Sequence, residues 1–166
     1  MKSSTQPRLA VLGLVAALGL AAAFGASGAV AHHGDRHGGK LLSASLVGSR
    51  PSDPAIHTRA AGGVPWDLRR GEVSLARNKF RLRVRGLVIT GTDNPGPVTT
   101  ITASLFCAPD SDATPAFTTS AVPLSSHGDA RIEQSVSVPA RCLAPVVLVH
   151  PNGNTARYIA ATGWQL

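Results

Sequence analysis

Between Phe80 and Arg85 apolar and cationic residues alternate without a break, with Phe80, Leu82 and Val84 set against Arg81, Arg83 and Arg85. A period of two belongs to a β-strand with one buried and one wet face. "FRLRVRGLVI" (80–89) is therefore expected to be a strand, joined to "EVSLA" (72–76) through "RNK" as a hairpin. Similar short apolar or alternating runs predict strands at "KLLSASLVG" (40–48), "VTTITASLFCA" (98–108) and "AFTTSAVPL" (116–124). Two more are expected at "ARIEQSVSV" (130–138) and "APVVLVH" (144–150). The following "PNGN" carries Asn-Gly, a strong hairpin signal, and returns into "ARYIAATGW". Gly and Pro mark the connections, most heavily in "SRPSDPAIHTRAAGGVPWDLRRG", which reads as a turn-rich stretch ahead of Glu72. About eight strands at such spacings predict an all-β domain, a single Ig-like or Greek-key β-sandwich or partly closed barrel.

The N-terminus reads differently. Lys2 and Arg8 precede a charge-free run from Leu9 to Val30, and Ala29-Val30-Ala31 closes it with small residues. Basic region, apolar region and A-x-A site, in that order, make a secretory signal peptide. The apolar run approaches the ~20 residues that span a bilayer, but it is poor in Ile and ends in a cleavage site. No stable membrane anchor is therefore expected, and the product is expected to be secreted and extracellular. The chain divides into a signal peptide (1–31), a His/Gly-rich flexible segment (32–40) and the β domain (41–166).

Composition agrees with the strand reading. Without Lys2 and Arg8, 14 of the 16 basic residues remain against 9 acidic ones, a net charge of +5. Only Lys40 and Lys79 among the former are lysines, and Glu72 and Glu133 are the only glutamates. Such a chain is a poor helix former. Its two cysteines, Cys107 and Cys142, are not in C-x-x-C spacing, and in an oxidising compartment they are expected to form a structural disulfide.

No familiar catalytic spacing is present: no G-x-S-x-G, no H-E-x-x-H, no phosphate-binding glycine loop. "SSHGD" (125–129) sets Ser, His and Asp side by side, but triad geometry comes from distant segments, so a polar turn is the better reading. "DSD" (110–112) lacks the Gly and the closing Glu of a calcium loop and reads as a turn as well. Trp66 could stack on a sugar, but large aromatics in loops more often plug the end of a core, and Trp164 is expected to do the same.

The cations are more informative. Arg69, Arg70, Arg77, Lys79, Arg81, Arg83 and Arg85 concentrate half of the positive charge that follows the signal peptide and are opposed only by Glu72. On a strand, alternate arginines form a ladder with a step of roughly 7 Å. Such a ladder could follow an anionic cell-envelope or extracellular polymer, such as a teichoic acid or an acidic polysaccharide. The competing reading is a solvated face that guards a sheet edge. Specific nucleic-acid binding is not expected, because few aromatics stand nearby for base stacking.

Three histidines, His32, His33 and His37, follow the expected cleavage site. Cleavage after Ala31 would expose His32 as an N-terminal residue whose amine and ring can chelate Cu(II), with a further histidine completing a tetragonal site. His57, His127 and His150 are possible partners, His150 being the most rigidly placed at a strand end. In an N-terminal His32 and the expected β-sandwich alone, the chain resembles secreted copper-dependent polysaccharide monooxygenases and periplasmic copper carriers, which implies copper as the alternative cofactor. If the histidines stay in a flexible tail, no cofactor is expected.

A second resemblance runs through "GLVITGTDNPGPVTTITASLFC", "PLSSHGDARI", "VPARCLAPVVLVHPNG" and "YIAATG". These segments resemble small secreted proteins of actinobacteria whose function is unknown and, more faintly, the chordin-type domain of extracellular proteins. The resemblance implies an extracellular β-sandwich without a known catalytic set. Together the expectations are of a secreted binding or structural domain rather than an enzyme, with a copper protein as the alternative.

Overall fold

The computed structural model describes residues 39–107 and 114–165, all within one unit of the chain, Asp35–Leu166. The strands are β1 (Lys40–Gly48), β2 (Ala60–Ala61), β3 (Trp66–Ala76), β4 (Lys79–Ile89), β5 (Thr100–Phe106) and β6 (Phe117–Thr118). They continue with β7 (Val122–Pro123), β8 (Ala130–Ser135), β9 (Val146–Pro151), β10 (Arg157–Tyr158) and β11 (Ala160–Thr162). No helix occurs among the described residues. Antiparallel pairing joins them in the order β6-β5-β9-β11-β1-β3-β4-β8, with β7 also on β5. β10 and β2 form a separate parallel ribbon.

One strand lets this single sheet fold over on itself. Residues Lys40 to Ser45 of β1 pair with β3, whereas Leu46 to Gly48 pair with β11. At the change of partner, Gly71 of β3 lies so close to Leu46 and Leu68 that a Cβ would collide with both side chains. The curl brings the far edges together. Phe80 of β4 meets Phe117 of β6 edge to face at 5.1 Å, and the Ser120 N–H donates to Oε1 of Gln134 on β8 at 2.9 Å. Phe80, Leu82, Val84 and Ile132 from one half pack with Ile101, Leu105, Val147 and Val149 from the other, each at most 1 % exposed. A disulfide, Cys107–Cys142, ties the end of β5 to the segment before β9. The domain is all-β and sandwich-like, made from one curled sheet.

β9 is buried on both faces, as its unbroken apolar run requires. Behind it Phe106, Leu148 and Ala161 form a second, smaller core with Ala61 and Tyr158.

Several elements depart from the sequence expectation. The turn-rich stretch before Glu72 already contains strand, because Trp66, Asp67 and Leu68 pair with Ile89, Val88 and Leu87. Its alternation is hidden by a change of phase. Gly86 adopts φ +64, and inward positions on β4 jump from Val84 to Leu87. The expected strand 116–124 is two short pieces: Thr119 turns inward and its hydroxyl accepts the Ala103 N–H at 2.9 Å, interrupting the ladder. Asn152 and Gly153, at φ +46 and +71, do form a tight turn, closed by the Asn154 N–H on the Pro151 carbonyl at 2.8 Å. The return is nevertheless split, β10 going to β2 and β11 to β9 and β1. Trp66 plugs the core at 3 % exposure, but Trp164 does not: it is 83 % exposed.

Candidate functional site

β4 presents Lys79, Arg81, Arg83 and Arg85 to solvent because Phe80, Leu82 and Val84 are drawn into the core. Register then selects their neighbours. Ser74, Glu72 and Arg70 of β3 stand opposite Arg81, Arg83 and Arg85. On the other flank Glu133 and Arg131 of β8 stand opposite Arg81 and Arg83. Arg131 lies outside the sequence-based set, although the alternation of Arg131 and Glu133 around buried Ile132 is the signal that places it on this face.

The acids do not neutralise the ladder evenly. Glu72 pairs with Arg70 at 2.6 Å. Glu133 is shared between Arg131 at 2.6 Å and Arg81 at 3.1 Å. The Arg131 hydrogen bond holds the Glu133 carboxyl below its ordinary value, and the charges of Arg81 and Lys79 add to the effect. Among the described residues, Arg83, Arg85 and Lys79 have no ion-pair partner. Two cross-strand pairs, Arg70–Arg85 and Arg83–Arg131, set like charges directly opposite each other. Such pairs stand roughly 5 Å apart at Cβ and disfavour the sheet. Edge protection does not explain Arg83 and Arg85, because β4 lies inside the sheet between β3 and β8; Arg131 is on β8, at the end of the strand order.

Shallow depressions mark this face. One of about 680 Å3 is lined by Ser43, Ser45 and Ser74, by Arg81, Arg83 and Arg131, and by both glutamates, Glu72 and Glu133. Two smaller ones flank Arg83 and Arg85. The first, about 110 Å3, lies between these two residues, Arg70 and Glu72. The second, about 400 Å3, adds Arg69, Arg131 and Asp129. One Asp129 oxygen already accepts the Gly86 N–H at 2.9 Å. Of the other expected cations, Arg77 is at the tip of the β3–β4 turn, in the left-handed region at φ +52, apart from both small depressions.

The remaining sequence candidates are placed as follows. His32, His33 and His37 lie outside the described residues, as does "DSD" (110–112). "SSHGD" is a turn, with Ser125 Oγ accepting the Asp129 N–H at 3.0 Å and His127 exposed. His57 is buried and stacks on Phe106 with ring centroids 4.6 Å apart. Among the described residues, no three His, Cys, Asp or Glu side chains form a group that could hold a metal ion.

His150 is fully buried, and both ring nitrogens already have partners. Nδ1 lies 2.7 Å from the Arg157 carbonyl, which can only accept, so Nδ1 carries the proton. Nε2, 3.0 Å from Ser104 Oγ, then accepts from the Ser104 hydroxyl. Burial pushes the imidazole below its ordinary value of 6.5, opposed by the Arg157 hydrogen bond and helped by the charge of Arg59. A base that protonates less readily when folded gives stability that is present above about pH 6.5 and is lost as pH falls below it. The urea midpoint is therefore expected to hold between pH 8 and 7 and to decline as the solution is acidified through 6. The variant His150→Gln should show a flatter decline; an unchanged slope would show that His150 does not carry it.

No protein-family model, curated protein or solved structure matches this chain. The fold and the face by themselves define a class: a small disulfide-bonded β domain that presents several guanidinium groups on one open sheet face.

Proposed function

We propose that this protein is a secreted, non-enzymatic binding domain that engages an anionic cell-envelope or extracellular polymer through the outer face of β3, β4 and β8. The observation that carries the reading is the pair Arg83 and Arg85, exposed, without an ion pair among the described residues and each with an arginine opposite it, while Glu72 opposite Arg83 is held by Arg70. Repulsion between them disfavours the free domain, and an arriving anion relieves it. The basic balance of the chain and the signal-peptide pattern at residues 1–31 support a role outside the cell. The Cys107–Cys142 disulfide fits an oxidising compartment.

The test is salt dependence of retention on an immobilised polyanion. With about three anionic groups contacted, affinity should fall roughly 15–40-fold between 50 and 200 mM salt. Replacing Arg81, Arg83 and Arg85 together by serine should remove most of that dependence. Unchanged retention in the triple variant would end the proposal.

A further inference from the structure

The cationic face makes no use of His150, which is fully buried on β9. Its hydrogen bonds nevertheless lead out to the surface. Ser104 Oγ, 3.0 Å from Nε2, lies only 2.8 Å from Thr118 Oγ1, and either of these two hydroxyls could be the donor. Thr118 is exposed on β6, at the end of the strand order. Register builds the line, because β5 sets Ser104 opposite Thr118 on one side and borders β9 on the other. Thr102, two positions before Ser104 and on the same face of β5, stands opposite His150, and its buried hydroxyl has no hydrogen-bond partner. The charges around the imidazole are few. Arg59, from the stretch before β2, opposes its protonation. Arg157 of β10 turns its carbonyl to Nδ1 and its guanidinium to the Ala61 carbonyl at 3.1 Å. His57 and Tyr158 belong to the same covering layer, where the charge of Asp53 acts on Tyr158. β5 and β11 bring no charged side chain.

A hydroxyl both donates and accepts, so this chain of bonds can run in either direction. With the imidazole neutral, Ser104 donates to Nε2 and Thr118 donates to Ser104. With the imidazole charged, the Nε2–H donates to Ser104, Ser104 donates to Thr118 Oγ1, and the Thr118 O–H turns to water. Neither arrangement leaves a nitrogen of His150 or the hydroxyl of Ser104 unmatched inside the protein. We propose that Ser104 and Thr118 form a hydroxyl relay through which solvent protonates the buried His150 while the domain stays folded. Thr118 Oγ1 takes a proton from a solvent acid and passes its own to Ser104 Oγ, which passes its own to Nε2. Each hydroxyl ends with one proton, the N–H bond at Nε2 is the bond gained, and the solvent acid is left as its conjugate base. The consequence appears at the surface: Thr118 changes from a donor committed to Ser104 into a donor open to an outside acceptor, so acidity is registered at the edge of the sheet. This relay is independent of the polyanion reading.

The experiment is an NMR titration of the full chain with 15N-labelled histidine, recording ring nitrogens and backbone amides together. His150 is assigned among the six histidines by the signal lost in His150→Gln. At neutral pH its ring is expected as the Nδ1–H tautomer. On acidification both nitrogens should become protonated, with a midpoint below 6.5, while the amide spectrum keeps its folded dispersion. In Thr118→Val the charged form leaves the buried Ser104 O–H without an acceptor, whereas the neutral form loses no donor. The midpoint should therefore fall by about one pH unit, a tenfold loss of proton affinity. Thr118→Ser restores the hydroxyl and should restore the midpoint. Thr102→Val removes a hydroxyl that stands opposite the imidazole and takes no part in the relay, and should leave the midpoint where it is. An imidazole that stays neutral until the amide spectrum collapses overturns the relay, since protonation would then need unfolding. So does an unchanged midpoint in a folded Thr118→Val. An equal fall in Thr102→Val also overturns it, in favour of general polarity around the ring.

Discussion

Replacing Phe80 by alanine is expected to destabilise the domain by about 3–5 kcal/mol, read as a lower urea midpoint at unchanged slope. Phe80 is fully buried and stands where the two edges of the curled sheet close on each other, against Phe117 at 5.1 Å. The cavity left behind has little freedom to collapse. β4 is hydrogen-bonded on both sides, with Phe80 opposite Leu75 of β3 and Gln134 of β8, so its backbone cannot move inward without breaking two ladders. Domains of this size are stable by only about 5–15 kcal/mol, so the loss is a large fraction of the whole. The outward neighbours of Phe80 are Lys79 and Arg81, and the same variant tests how far the cationic ladder depends on the core beneath it. A loss below about 1 kcal/mol would mean that the two halves of the sheet close up around the vacated space.

Opening the disulfide is expected to cost nearly as much. Cys107 and Cys142 are separated by 35 positions, and in the chain-entropy treatment a closed loop of that length contributes about 3–4 kcal/mol. Cys107→Ser with Cys142→Ser, or reduction of the native protein, should lower the thermal midpoint by about 10–20 °C. The bond acts across the molecule: it connects the end of β5 to the segment that leads into β9, and these two strands are neighbours in the sheet. Should the reduced and oxidised proteins melt together, the packing of β5 on β9 alone would be constraining that loop.

Much of the fold is legible in the sequence where a single physical rule acts alone. β1 and β4 show it: one face of each strand meets the core and the other meets water, so the pattern of apolar residues follows from local position. The rule fails where two requirements compete at one place. Trp66 to Arg70 look like a loop because the chain changes phase at Gly86 and on the opposing strand, and a period of two is invisible across such a step. The stretch 116–124 looks like one strand because Thr119 is a good strand residue; that its hydroxyl displaces the ladder depends on Ala103, sixteen positions away. Trp164 shows the reverse error, since an aromatic residue is buried only if the fold supplies a cavity for it.

The candidate site divides in the same way. Sequence alone determined that Arg81, Arg83 and Arg85 share a face, that the domain is all-β, and that its two cysteines could pair, because each follows from periodicity or composition. It could not determine which arginine meets which acid. That is a matter of register between strands far apart in the chain, and a shift of one residue would turn every side chain to the other face. Only the tertiary structure decided that Glu133 compensates Arg81, that Arg131 joins Arg83, and that His150 is enclosed with both nitrogens engaged. Periodicity is a property of one strand, whereas charge balance and burial are properties of the neighbours that folding brings to it.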